Sequence, residues 1–206
     1  MMVRQATGIA KAKSVAQFVR LMVEAGEPVL LVGWHRAVYD IWLQELADLK
    51  PAMYTGSESA AKKDQEAKRF ISGETDVMIM SLRSGAGLDG LQARCSVLVL
   101  GELDWSPGIH SQLTWRLDRE GQLHPVTVFY LVTNDGSDPP IMDVLGIKAS
   151  EARGIVDPHL GVQITDAEDM SNLRRLVERY LEKGGKAKTP PAPEDSPREP
   201  VQALLC

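Results

Sequence analysis

The chain has 206 residues, 44% of them apolar, and a formal net charge of -5. That length suits one ordinary domain plus some tail, and that apolar share supports a real core and argues against wholesale disorder. The acidic balance argues against a generic basic coat for nucleic acid but leaves room for a local basic groove, because binding depends on where charge sits. Its two cysteines, Cys95 and Cys206, are too few for a disulfide scaffold or a zinc site, which points to a reducing compartment. No stretch is apolar for long enough to span a membrane, so a soluble, intracellular chain without a membrane partner is the expectation.

Taken in order, Val15, Phe18, Val19 and Met22 fall at helical spacing and predict a helix over 11–25, ended by Gly26. Val29 to Val32 is a short run of buried-strand type. Val38, Ile41, Trp42, Leu46 and Leu49 predict a helix over 36–49, and Ala52 to Tyr54 a brief strand. A polar helix follows over 58–71, with Ser57 as its expected N-cap. Val77 to Met80 and Val97 to Leu100 are further buried strands, and Val126 to Val132 is the longest. Met170 to Lys183 predicts one more helix, and 184–206, rich in Pro, Lys and Glu, reads as a disordered tail. Strands alternating with helices predict an α/β domain with a mainly parallel sheet, and ligands of such sheets bind beyond the carboxyl ends of the strands. The loops at 33–35, 55–57, 81–90 and 101–108 are placed there.

Several of these loops carry chemistry. Gln112, Arg116 and Arg119 fall at i, i+4 and i+7, one face of a helix that Gly121 would end. An amide with two guanidiniums can grip an anion, since Arg offers a planar fork of donors suited to phosphate. By spacing alone, a solvated or salt-bridged face is the commoner outcome, with Asp118 and Glu120 alongside. Ser81 to Gly90 is glycine-rich and follows a strand, so its backbone N–H groups can approach a phosphate, or it is a plain loop. Trp105 reads as a core residue or a stacking platform, a core or interface tryptophan being the safer choice. Lys62, Lys63, Lys68 and Arg69 read as a solvated surface. Glu102 and Asp104 resemble magnesium-binding acids at a strand end. That role needs a phosphate loop of the form G-x-x-x-x-G-K-[ST], which the sequence lacks, so no metal ligands are assigned.

The order of these segments is more informative than any one of them. Gly33-Trp34-His35, Tyr54-Thr55-Gly56-Ser57, Met80-Ser81-Leu82-Arg83-Ser84-Gly85-Ala86-Gly87-Leu88, Asp104-Trp105-Ser106-Pro107 and the Gln112 to Gln122 run follow one another. This order resembles the C-terminal, RecA-like lobe of Swi/Snf-like superfamily-two DNA-dependent ATPases over roughly residues 5–150. The resemblance implies a three-layer RecA-like lobe over 5–157, a helical extension over 158–183 and the tail beyond. It implies that Arg116 and Arg119 are the motif arginines and reach ATP as arginine fingers, with Gln112, Gly85, Gly87 and Asp89 on the nucleotide side. Thr55, Gly56, Ser57, Ser81, Arg83 and Trp105 would meet the backbone of double-stranded DNA. ATP and Mg2+ would be held mainly by a first RecA-like lobe, absent from this chain, supplied in trans or in a longer precursor. Trp115, Asp118 and His110 stand where the family commonly has a small residue, a histidine and an acidic residue, which bears on fine positioning. The second possibility is a non-catalytic DNA- or protein-binding remnant of such an enzyme. The compact lobe points to a bacterial or phage-infected cytoplasm, with a nucleus as the other setting.

Overall fold

The apolar runs of the sequence become strands of one sheet. In the computed structural model, which describes residues 2–84, 88–145, 177–178, 181–182 and 202–205, the strands are β1 (Val29–Gly33), β2 (Ala52–Tyr54), β3 (Val77–Ser81), β4 (Val97–Leu100), β5 (Thr127–Tyr130) and β6 (Gln202–Leu205). They lie in the order β2-β3-β1-β4-β5-β6, and every pairing is parallel. The order reverses at β1, which takes β3 on one side and β4 on the other, with Val29 level with both Val77 and Val97. In sheets of this kind the crevice for ligands opens at such a reversal, beyond the carboxyl ends of the strands.

Alternation along each strand builds two cores. Val29, Leu31, Val77, Ile79, Val97, Val99 and Phe129 face α1 (Met2–Glu24) and α2 (Arg36–Glu45). Leu30, Val32, Met78, Met80, Leu98, Leu100 and Val128 face the opposite way, toward α3 (Ala60–Ile71), α4 (Pro107–Leu117) and α5 (Asp138–Val144). A strand buried on both faces has no polar positions to spare, which is why these segments read as unbroken apolar runs. The result is the expected α/β architecture, three layers about a parallel sheet. Among the described residues no helix is long and apolar enough to cross a membrane.

Boundaries differ from the sequence expectation in instructive ways. α1 begins at Met2 rather than near residue 11, because its first turns bury Thr7, Gly8 and Lys11, which apolar periodicity does not register. The helix expected to reach residue 49 stops at Glu45 and is continued by a short 3-10 turn, Ala47–Leu49, closed by Lys50 in the left-handed region at φ 48°. The N-cap of α3 is Ser59, whose side chain accepts from the Lys62 N–H, and not Ser57. β5 is four residues long and shorter than β1 or β3, so the run from Val126 to Val132 is not the longest strand. Of the helix expected at 170–183, only 177–178 and 181–182 lie within the described residues, and these are helical. The segment read as a disordered tail ends in a strand: Gln202–Leu205 pairs with β5, Thr127 level with Gln202. Ala203-Leu204-Leu205 is the one apolar run there, and composition averaged over the whole tail hides it.

Candidate nucleotide and nucleic-acid interface

Glu102 organises the carboxyl ends of β1 and β4. Its carboxylate is almost wholly buried, at 1% exposure, and accepts hydrogen bonds from the Trp34 N–H at 2.7 Å and the His35 N–H at 2.9 Å. The His35 ring lies against its other oxygen, Nδ1 to Oε1, at 2.5 Å. His35 is the N-cap of α2 and offers no cap from its side chain, so a carboxylate from the neighbouring strand end sits at that helix N-terminus instead, where negative charge is favoured. Gly33 and Gly101 make room beneath. A Cβ on either would lie 2.6 Å or 2.4 Å from the Trp42 indole, which fills the space under both loops.

Above this floor stands a cationic and aromatic cluster. The guanidinium carbons of Arg4 and Arg83 lie 5.9 Å and 5.2 Å from the Trp34 ring centroid. Both guanidiniums also lie 3.5 Å from the same oxygen of Asp104, Oδ2. The other oxygen of Asp104 accepts from the Ser106 N–H at 3.0 Å, shaping the turn into α4. His110, buried on α4, has Nε2 at 3.0 Å from the Asp104 backbone and stacks on Tyr130 at 5.7 Å. Burial pushes the His110 imidazole below its usual pKa. Trp105 is exposed and so is not a core residue; the indole at the core of this region is Trp42.

The arginines of the Gln112 to Gln122 run are separated by the end of a helix. Gln112 and Arg116 lie on α4, which closes at Asp118, so Arg119 sits in the following turn rather than on the same helical face. Leu113 and Leu117 pack inward as expected. Gly121, at φ 89°, belongs to the turn beyond the helix, and Gln122 fastens that turn by donating to the Cys95 and Leu117 carbonyls at 2.9 Å and 3.2 Å. Arg119 donates to Asp89 at 2.6 Å on the surface. Arg116 is half-buried and makes no ion pair or hydrogen bond with the described residues. Burial holds its guanidinium below the usual arginine pKa, with Tyr54 and Asp89 acting to raise it and Arg119 to lower it. The fields of Tyr54, Asp89, Arg116 and Arg119 therefore meet. Gln112 is exposed, while Gly85 and Gly87 lie outside the described residues.

The remaining assigned residues are partly occupied by local structure. Thr55 is buried; its hydroxyl and its N–H both donate to the Glu58 carboxylate, at 2.9 Å and 2.6 Å. Ser57 is exposed and accepts from Arg36 at 2.8 Å, and Gly56 is exposed with nothing within 4 Å of a Cβ placed there. Ser81 ends β3 and is buried, whereas Arg83 is exposed. A divalent cation does not fit this donor set. Both oxygens of Glu102 and both of Asp104 face N–H groups or cations, and among the described residues no three His, Cys, Asp or Glu side chains gather. Arg4 was not singled out by the sequence, and Trp34 stood there only within Gly33-Trp34-His35, with no role of its own. Trp34 carries a usable signal, an aromatic directly after a buried strand, but Arg4 reaches the site from 100 positions away.

Comparison with known proteins bears on the fold and the sequence. No protein-family model matches the chain. Over 168 residues it is 27% identical to the bovine SWI/SNF-related matrix-associated actin-dependent regulator of chromatin subfamily A-like protein 1, covering 79% of this chain and 18% of that protein. Over 148 residues it is 29% identical to the human DNA annealing helicase and endonuclease ZRANB3, covering 69% of this chain and 14% of that one. The chain thus spans less than a fifth of the length of these two relatives. These matches lend no support to a bacterial or phage setting. The structure aligns with the C-terminal part of the Fun30 ATPase domain at a TM-score of 0.56 and 19% identity, covering 80% of this chain and 51% of the other. The chain is therefore similar in sequence to Swi/Snf-type helicase-like ATPases and has the RecA-like fold of the C-terminal part of such an ATPase domain.

Proposed function

We propose that this chain acts as the second lobe of an ATP-driven DNA translocase, presenting Arg116 and Arg119 to a nucleotide held by a first lobe and gripping the backbone of duplex DNA. The observation that carries the reading is Arg116: a half-buried guanidinium without an ion-pair partner among the described residues, beside a second arginine. A buried charge normally has a partner, so an unpartnered guanidinium suits an anion supplied from outside. The triphosphate with its magnesium supplies the bond to be broken and comes with the other lobe. On this side, Arg116 and Arg119 neutralise the charge that develops during transfer, an effect worth on the order of 10³–10⁵ in rate in phosphoryl-transfer enzymes. Arg119 must leave Asp89 to do so, and an exposed ion pair of that kind holds with only about 0–1 kcal/mol. Gln112 and Asp89, with Gly85 and Gly87 by the resemblance alone, are assigned to the nucleotide, and Thr55, Gly56, Ser57, Ser81, Arg83 and Trp105 to the DNA.

The test is reconstitution. The purified chain should hydrolyse no ATP, and DNA-stimulated turnover should appear when a first lobe bearing a phosphate loop is added. Arg119→Ala should remove that turnover and leave DNA affinity nearly unchanged. Turnover by the chain alone overturns the reading, as does an Arg119→Ala chain that retains full activity in the mixture.

A further inference from the structure

The Arg4–Trp34–Arg83–Asp104 cluster has more to it than a grip on phosphate requires. One carboxylate faces two guanidiniums, which leaves a net positive charge, and a single exposed arginine would supply that. Beyond one N–H donor, the indole adds nothing to a phosphate contact. It offers a flat π-surface, partly open to solvent at 36% exposure, at the carboxyl end of β1, beside the topological reversal. The two arginines differ. Arg4 is mostly buried, its side chain 16% exposed, and its Nε and Nη2 are buried with no hydrogen-bond partner among the described residues. Arg83 is 60% exposed and free to swing. Arg4 therefore fixes the ring from one side of the ion pair while Arg83 can leave it.

A flat ring beside a movable guanidinium matches the two halves of a nucleotide: base on the indole, phosphate on the arginine. We propose that Trp34, held by Arg4, stacks an unpaired nucleobase of a DNA strand while Arg83 turns to the adjoining phosphate. This rests on the DNA-binding part of the function proposed above and adds a preference: strands with unpaired bases are held better than fully paired duplex. A strand is favoured over a free nucleotide because the neighbouring loop, after β4, carries a second exposed indole, Trp105, so that more than one unit can be met along the same edge. Aromatic stacking of this kind is indifferent to base identity, since every base has a π-face.

Equilibrium binding by fluorescence anisotropy, at fixed low salt, compares a labelled paired duplex with the same duplex bearing a single-stranded overhang. The wild-type chain should favour the overhang. Trp34→Ala should lose about five-fold or more in overhang affinity, the lower end of what one stacked base contributes, with little change toward paired duplex. Trp34→Phe should retain most of it. Because Trp34 is partly exposed, the variants should melt at the wild-type temperature; if Trp34→Ala does not, Trp34→Phe against Trp34→Leu replaces it as the comparison. Equal binding of both DNAs by wild type, or an unchanged preference in Trp34→Ala, overturns the proposal while leaving DNA binding intact. Binding of neither DNA overturns both. Loss of labelled-ATP binding in Trp34→Ala with overhang binding unchanged would assign the ring to a free nucleotide and also overturn it.

Discussion

At the scale of single residues, buried charge makes the sharpest demands. Lys11, on α1, is 4% exposed and donates to Asp138 at 2.6 Å and to the Leu131 carbonyl at 2.5 Å. Burial holds its ammonium below the usual lysine pKa despite Asp138. Removing the carboxylate alone strands the charge, so Asp138→Ala should cost about 3–5 kcal/mol in urea denaturation. Replacing both, Lys11→Met with Asp138→Leu, should recover much of that loss, because neither charge then requires compensation. Full recovery is not expected, since Asp138 also accepts from the Thr133 N–H. His110 gives the pH counterpart. Its pKa is lowered by burial, so the unfolded chain binds its proton more readily than the folded one. Its contribution is then fully present above the ordinary imidazole value of 6.5 and is lost as pH falls toward the folded pKa. Melting temperatures taken at neutral pH and near pH 5 should fall less on acidification for His110→Gln than for the parent; equal slopes would refute that assignment.

Helices and strands show what the sequence could and could not reveal. The strands were legible because burial on both faces leaves nothing but apolar residues, and the shortness of Val77 to Met80 and Val97 to Leu100 favours strand over buried helix. The first turns of α1 were hidden because they are buried through Thr7, Gly8 and Lys11, residues chosen for close packing and for a distant carboxylate. Arg116 and Arg119 could be found as a pair by spacing and by resemblance. That α4 stops between them could not, since the turn depends on Gln122 reaching the Cys95 carbonyl across the fold. The loops after β1 and β4 likewise depend on Trp42, which lies outside every motif and reads in the sequence only as one apolar residue of a helix. Gly101→Ala would place a methyl group 2.4 Å from that buried indole. It should cost about 1–3 kcal/mol, the usual range for overpacking. Gly56→Ala, with open space around its Cβ, should stay within about 0.5 kcal/mol in the same denaturation series, as surface changes do.

For the whole molecule, the net charge of -5 and the local cationic cluster are compatible, because a chain acidic in sum can still gather two guanidiniums, Arg4 and Arg83, beside Trp34. Phosphate contact releases condensed counterions, so the reading of DNA as the partner carries a steep decline of affinity with added salt. The division of labour proposed for the ATP site also belongs to this scale. In that proposal the arginines of this lobe meet phosphate oxygens, and the metal ion comes with the other lobe.

The polar fastenings of α1 have a consequence for the order in which the lobe is assembled. Arg4 meets Asp104, Lys11 meets Asp138, and Thr7 meets the Ser137 N–H across 130 positions. Such contacts close only after very long loops have been brought together, and they come late in folding. Within this lobe α1 leaves the ribosome ahead of the strands, yet its most distant anchors, Ser137 and Asp138, emerge only after β5. The leading helix of the lobe is thus locked late, and the Trp34 platform, which shares its Arg4–Asp104 anchor, forms only once α1 and the end of β4 have met.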